Sequence, residues 1–200
     1  MSGGMFEALR RDRARYAEVG QVWYRHAGFW VGSTYRLGAW ARSRPNAVLR
    51  VLVSIVYRLL VIPWRLFNNV EIPAGARIGP GLCLVHPNNI LMGDSVEIGE
   101  DCLIFHEVTL GAGVAPGLPR IGNRVQLFVG VRVLGPVEIG DGSKIGANCV
   151  ITRSVPPGSV VVSAPNRIIP LALFTRLTEG DLEPRPNKPG KDREGGTGQS

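Results

Sequence analysis

Aliphatic residues recur every six positions through the second half of the chain. Ile121, Leu127, Val133, Ile139, Ile145 and Ile151 hold one unbroken register. Two earlier runs keep the same period: Ile72, Ile78 and Leu84, then Met92, Ile98, Ile104 and Leu110. The step from Leu84 to Met92 is eight and that from Leu110 to Ile121 is eleven, so two and five residues are inserted. A period of six belongs neither to an α-helix nor to a hairpin. It predicts a mainly β fold, a parallel β-helix in which each six-residue block is one flat side and three blocks close a triangular coil. The aliphatic residue should point inward and stack on its equivalent in the next coil. The Gly, Asn or Asp after it should take the corner, where φ is often positive. Such a stack shares its stability between neighbouring coils. The two insertions, one following His86 and one at 112–120, must bulge outward, and outward loops on a rigid scaffold often carry function. They are expected to project from one end of the solenoid.

The first third of the chain has a different pattern. Residues 47–63, AVLRVLVSIVYRLLVIP, form an apolar stretch interrupted by Arg50 and Arg58. It is short for a membrane span, and a central arginine there is costly. The expectation is an amphipathic helix, packed on a protein neighbour in preference to lying on a membrane surface. Residues 1–67 are therefore predicted to be a short helical N-terminal segment, 68–170 the β-helix, and 171–200 a closing segment and tail. Within that last part, 168–177 (IIPLALFTRL) should close the last coil. Residues 178–200 are too polar and too rich in Gly and Pro to order themselves.

Charge sharpens this division. Residues 1–65 hold eleven arginines and no lysine against Glu7, Asp12 and Glu18, a net +8, whereas the rest of the chain sums to −1. A basic leader suits an anionic ligand, an anionic membrane or nucleic acid. Trp23, Tyr24, Trp30, Tyr35 and Trp40 accompany it, but no nucleic-acid-binding motif does, so nucleic acid is not expected as a partner. Peripheral contact of 1–65 with the inner membrane face stays open. The three cysteines, Cys83, Cys102 and Cys149, are too few and too scattered for a disulfide framework, which points to a reducing compartment. The first twenty residues lack the apolar core of a secretory signal, and a cytoplasmic location is expected.

The stretches VEIPAGARIGPGLCLVHPNNILMG, IFHEVTLGAG, PRIGNRVQL and IGANCVITRSVPPGSVV carry a resemblance. They resemble the hexapeptide-repeat acyltransferases, above all the serine O-acetyltransferases and related O-acetyltransferases of polysaccharide assembly. The resemblance implies a left-handed parallel β-helix, a homotrimer, and acetyl-CoA bound between adjacent subunits. The spacing argument does not supply the handedness, which runs against the usual right-handed crossover.

Acetyl transfer from a thioester to a hydroxyl needs a base for the hydroxyl proton and donors for the tetrahedral oxyanion. Histidine suits the first task because its side chain titrates near neutrality. His86 matches the family's catalytic histidine by position and spacing. Glu71, fifteen residues earlier, matches a position that usually holds an aspartate partnering it. His106 is the further catalytic candidate, near the acceptor or CoA, or the base if His86 is not. Glu107 reads as a rim charge, and His26, outside the repeat, as structural. For acetyl-CoA the resemblance points to Thr109, Gly111, Gly113, Gly130, Lys144 and Ala147. Arg120, Lys144, Arg153 and Arg167 are cations for its phosphates. No metal is expected, because only His86 and His106 lie in the repeat, whereas metal-binding relatives of this fold use three histidines.

Three departures bear on the acceptor. Serine acetyltransferases typically carry Asp before the catalytic His and Arg-His before the Pro-Lys-Ile of the second insertion. Here Val85 precedes His86, and Gly117 and Leu118 precede Pro119. Those family residues grip a zwitterion, so their loss favours a neutral saccharide hydroxyl as acceptor. L-serine is the alternative acceptor, and a non-catalytic β-helix scaffold the alternative class.

Overall fold

The computed structural model describes residues 4–164. Three helices precede a parallel solenoid: α1 (Met5–Glu18), α2 (Ala27–Arg42) and α3 (Ala47–Asn68), with a single 3-10 turn at Trp23–Arg25. The strands then follow in coil order. The first coil is β1 (Val70–Glu71), β2 (Arg77–Ile78) and β3 (Cys83–Leu84). The second is β4 (Ile90–Met92), β5 (Glu97–Ile98) and β6 (Leu103–Ile104). The third is β7 (Thr109–Gly111), β8 (Arg120–Ile121) and β9 (Gln126–Leu127). The fourth is β10 (Arg132–Leu134), β11 (Glu138–Ile139) and β12 (Lys144–Ile145). The last contains β13 (Val150–Ile151) and β14 (Val160–Val161), with a bridge from Val155 to Ile139 between them.

Three all-parallel sheets result. The first is β1-β4-β7-β10-β13, the second β2-β5-β8-β11, and the third β3-β6-β9-β12-β14. The register is the one the hexads predict. Ile78, Ile98, Ile121 and Ile139 pair in one column. Leu84, Ile104, Leu127 and Ile145 pair in another. Met92, Leu110, Val133 and Ile151 form the third. All of these residues are buried and form one continuous core. Burying an aliphatic side chain fully is worth ~1.5–3 kcal/mol, so each coil is held mainly by its neighbours.

The corner glycines work differently from the expectation. Gly79, Gly99, Gly122 and Gly140 follow the inward isoleucines but do not have positive φ. They are needed for close approach: a Cβ on Gly79 would sit 2.7 Å from the Gly99 carbonyl carbon. The left-handed residues come two positions later, at Gly81, Asp101, Arg124 and Gly142.

Helices α1 and α2 cover the open edge of the first coil. An exposed strand edge leaves backbone donors and acceptors unpaired, and here four side chains take the place of a preceding coil. The Tyr35 hydroxyl donates to Ala76 O (2.8 Å) and accepts from Ile78 N (3.1 Å). The Arg36 guanidinium donates to Ile78 O (2.6 Å) and Gly79 O (2.7 Å). Asp12 accepts from Gly81 N and Leu82 N, both at 2.8 Å, and pairs with Arg36 at 3.0 Å. The Tyr16 hydroxyl donates to Leu84 O (3.1 Å) and accepts from Leu84 N (3.0 Å). Burial pushes the Tyr16 phenol well above its ordinary range, so it stays protonated and able to donate. Gly28 permits the contact, since a Cβ there would lie 2.0 Å from Leu84 O.

Helices and coils therefore belong to one compact unit, Met1–Ser163. A second unit, Ala164–Ser200, is almost wholly outside the described residues. The expected closing segment at 168–177 and tail at 178–200 fall there.

Helix α3 packs on α2 through one narrow face. Its Tyr57 ring meets Gly38, and Trp64 Nε1 donates to Thr34 Oγ1 (3.2 Å). No residue of α3 is buried. The expected protein neighbour is thus present within the chain, but it covers only part of the helix.

Candidate active site

His86 lies in the turn between β3 and β4, where the two extra residues are accommodated. It is solvent-exposed. Its φ is 51°, and Asn89 in the same turn also has φ 51°. A left-handed non-glycine residue costs about 1–2 kcal/mol, so the turn is held by its surroundings. Two residues upstream, Leu84 is clamped by Tyr16. Asn89 N donates to Asn68 O (2.8 Å) and Asn69 Nδ2 to Asn89 Oδ1 (2.6 Å). The site histidine therefore stands on a turn pinned from both sides.

His106 occupies the equivalent place on the next coil, since Leu84 pairs with Ile104. It is half-buried, and its Nδ1 is buried without a hydrogen-bond partner. Both histidines thus follow the third sheet at the same corner. Glu107 N donates to Asn88 O (2.8 Å), tying the two turns together.

Glu71 does not join His86 in the structure. Its carboxylate accepts from Arg65 Nη2 at 2.5 Å, on the exposed outer side of β1, and no hydrogen bond links it to His86. The neighbour His86 does have is His26, with ring centroids 6.5 Å apart. His26 precedes α2 and is in turn tilted against Tyr16, with ring centroids 5.9 Å apart. Nothing in the sequence marked His26 as a neighbour, because only the docking of α1 and α2 on the first coil brings it there.

The two insertions lie in neighbouring coils but at different corners of the solenoid. The first enters the first sheet at β4, and the second, 112–119, leaves that sheet after β7. They flank opposite ends of the strands of one sheet whose outer positions include Glu71, Leu91, Thr109 and Arg132, paired in series. In the second insertion, Gly117 has φ 126° and Leu118 turns its side chain onto Gly93 and the core.

The residues expected to hold acetyl-CoA are dispersed within one chain. Thr109 and Gly111 are on β7, and Gly113 just follows it. Gly113 lines an open groove of about 650 Å³ with Leu134, Gly135, Thr152 and Arg153. Gly130 and Ala147 fall at the opposite corner, before β10 and β13. Arg120 is on the second sheet, where Glu97 binds it at 2.6 Å, and Lys144 is exposed on the third. Of the cations, Arg153 alone joins Gly113 at the groove among the described residues; Arg167 is outside them. No group of three or more His, Cys, Asp or Glu is placed to hold a metal ion among the described residues.

Comparison with known proteins agrees with this geometry. Residues 119–153 match the bacterial transferase hexapeptide (six repeats) model. A serine acetyltransferase of Mycobacterium tuberculosis is 33% identical over 192 residues, covering 94% of this chain and 76% of that protein. The chain belongs to the serine acetyltransferase family of hexapeptide-repeat transferases. The Helicobacter pylori serine acetyltransferase is 42% identical over 108 residues, covering 52% of this chain and 63% of that one. The Escherichia coli enzyme covers 71% of this chain, which spans 50% of the enzyme's length at 32% identity. Among solved structures, soybean serine acetyltransferase apoenzyme superimposes with a TM-score of 0.67 at 30% identity, covering 83% of this chain and 69% of that one. A Brucella abortus serine acetyltransferase in complex with coenzyme A gives 0.66 at 27%, covering 81% and 66%. The left-handed β-helix and the acyltransferase class expected from the sequence are borne out. Serine acetyltransferase relatives support L-serine, the alternative acceptor, and offer no support for a saccharide.

Proposed function

We propose that this family member transfers an acetyl group from acetyl-CoA to the hydroxyl of L-serine. The observation that carries the reading is an exposed histidine, His86, on a pinned turn of a β-helix whose relatives are serine acetyltransferases. The His86 imidazole takes the proton of the acceptor hydroxyl as its oxygen attacks the thioester carbon. The new C–O bond forms a tetrahedral oxyanion. Its collapse breaks the C–S bond, and the imidazolium returns the proton to the departing CoA sulfur. His106, with its unpartnered Nδ1 on the adjacent coil, is proposed to face the reactants. Gly113 and Arg153, at the groove, are proposed to meet the cofactor's pantetheine and phosphate parts. Glu71, held by Arg65, is proposed to act on the turn rather than as the direct partner of His86. The enzyme is proposed to assemble as a homotrimer, which would gather dispersed residues such as Lys144 and Gly113 into shared grooves. Its three free, buried cysteines suit a reducing cytoplasm.

A saccharide hydroxyl is the second reading. Leu118 favours it: a side chain packed on Gly93 offers no cation or donor to an amino-acid carboxylate. Free-thiol release from acetyl-CoA separates the readings. L-serine should support release, and His86→Ala should lower kcat by about 10²–10⁴-fold. Release with sugars and none with serine would replace L-serine by the second reading.

A further inference from the structure

The outer face of α3 has no partner in the described structure. Val48, Leu52, Ile55, Leu59, Ile62 and Leu66 line it at steps of four and three residues, and all are exposed, Leu59 at 62% and Leu66 at 73%. Val51, Val56, Leu60 and Phe67 widen it to about half the helix circumference, broader than the narrow seam a single partner helix would cover. Arg58 and Arg65 run along one flank, seven residues apart and therefore nearly in line along the axis. From Val19 to Val70 the chain carries no acidic residue at all, but Arg25, Arg36, Arg42, Arg44, Arg50, Arg58 and Arg65. Of these, Arg36 is neutralised by Asp12 and Arg65 by Glu71.

This pattern selects the occupant. A second copy of α3 would bring no carboxylate to Arg58, because the helix carries none of its own and Glu71 is already taken by Arg65. An anionic bilayer offers an apolar interior for the stripe and negative headgroups for the flank. We propose that α3 lies in the surface of an anionic membrane, apolar face down, and holds the enzyme there. The helix is long and apolar enough to cross a membrane. Its inner face, however, is bound to the folded domain through Tyr57 and Trp64, and its last residue leads directly into β1. It therefore lies on the membrane and does not span it.

The test is sedimentation of the full-length protein with vesicles. With phosphatidylcholine vesicles containing phosphatidylglycerol it should pellet, and high salt should weaken the association. The double variant Leu59→Glu/Ile62→Glu should lose at least about tenfold in vesicle affinity while releasing thiol in solution at the wild-type rate. Retained activity shows that the variant folds, and it separates failure of this proposal from failure of the catalytic reading. No pelleting with anionic vesicles, or pelleting unchanged in the double variant, overturns the proposal. Wild-type protein that does not pellet, together with a smaller particle mass for the double variant than for the wild type, would assign the face to a second copy instead.

Discussion

The solenoid interior and helix α3 are built from the same residues, Ile, Leu and Val. Leu84, Ile104, Leu127 and Ile145 are completely buried, whereas Val48, Leu52, Leu59 and Leu66 are exposed. The hexad places one aliphatic side chain per flat side, and the next coil of the same chain covers it. The helix spreads its apolar residues over half its circumference and has cover only on its inner face, from α2 and the start of the first coil. Apolar content alone therefore does not fix burial. What fixes it is whether the chain brings its own cover.

The largest expected break in this comparison comes from the cap. Asp12→Ala removes the partner of a buried arginine and the acceptor of two backbone N–H groups at the edge of the first coil, so it should cost about 3–5 kcal/mol in urea unfolding. It should also slow turnover, because Asp12 seats α1 on the first coil and the same helix carries Tyr16, whose clamp on Leu84 sits two residues before His86. Next comes a paired experiment. Ile104→Ala should cost about 2–5 kcal/mol, while Leu59→Ala should stay within about 0.5 kcal/mol. A large loss for Leu59→Ala in the free protein would mean that α3 already has a cover. A smaller effect should appear in alkali. Burial pushes the Cys83 thiol from 9.0 up to about 12 and Cys102 to about 11. The unfolded chain ionises these thiols first, so their contribution is intact below pH 9 and declines as pH rises toward 11–12. A melting temperature that is flat up to pH 9 and falls above it would agree.

The positions of the candidate site residues along the coils were legible in the hexads. His86 and His106 fall where the broken hexads put them, on adjacent coils at one corner. Glu71 was placed correctly on the first coil but not in its contact. Its sequence distance from His86 says nothing about Arg65, which arrives from the end of α3. The candidate cofactor residues Arg120 and Lys144 were also invisible in one respect: which of three faces each occupies depends on where the insertions fall. Val85, Gly117 and Leu118 pointed to a neutral acceptor, yet a missing ion pair says what a pocket lacks and not what it binds.

The period-six register alone determined the β-helix, its three inward columns and the two places where it bulges. That follows because each hexad residue makes the same contact with its equivalent one coil away, so a linear pattern encodes a three-dimensional one. Only the tertiary structure decided that α1 and α2 seal the first coil, that His26 stands beside His86, and that α3 keeps an apolar face outward. Those contacts join segments with no shared period. Tyr16 meets Leu84 across 68 residues, and only packing selects which side chains complete an open strand edge.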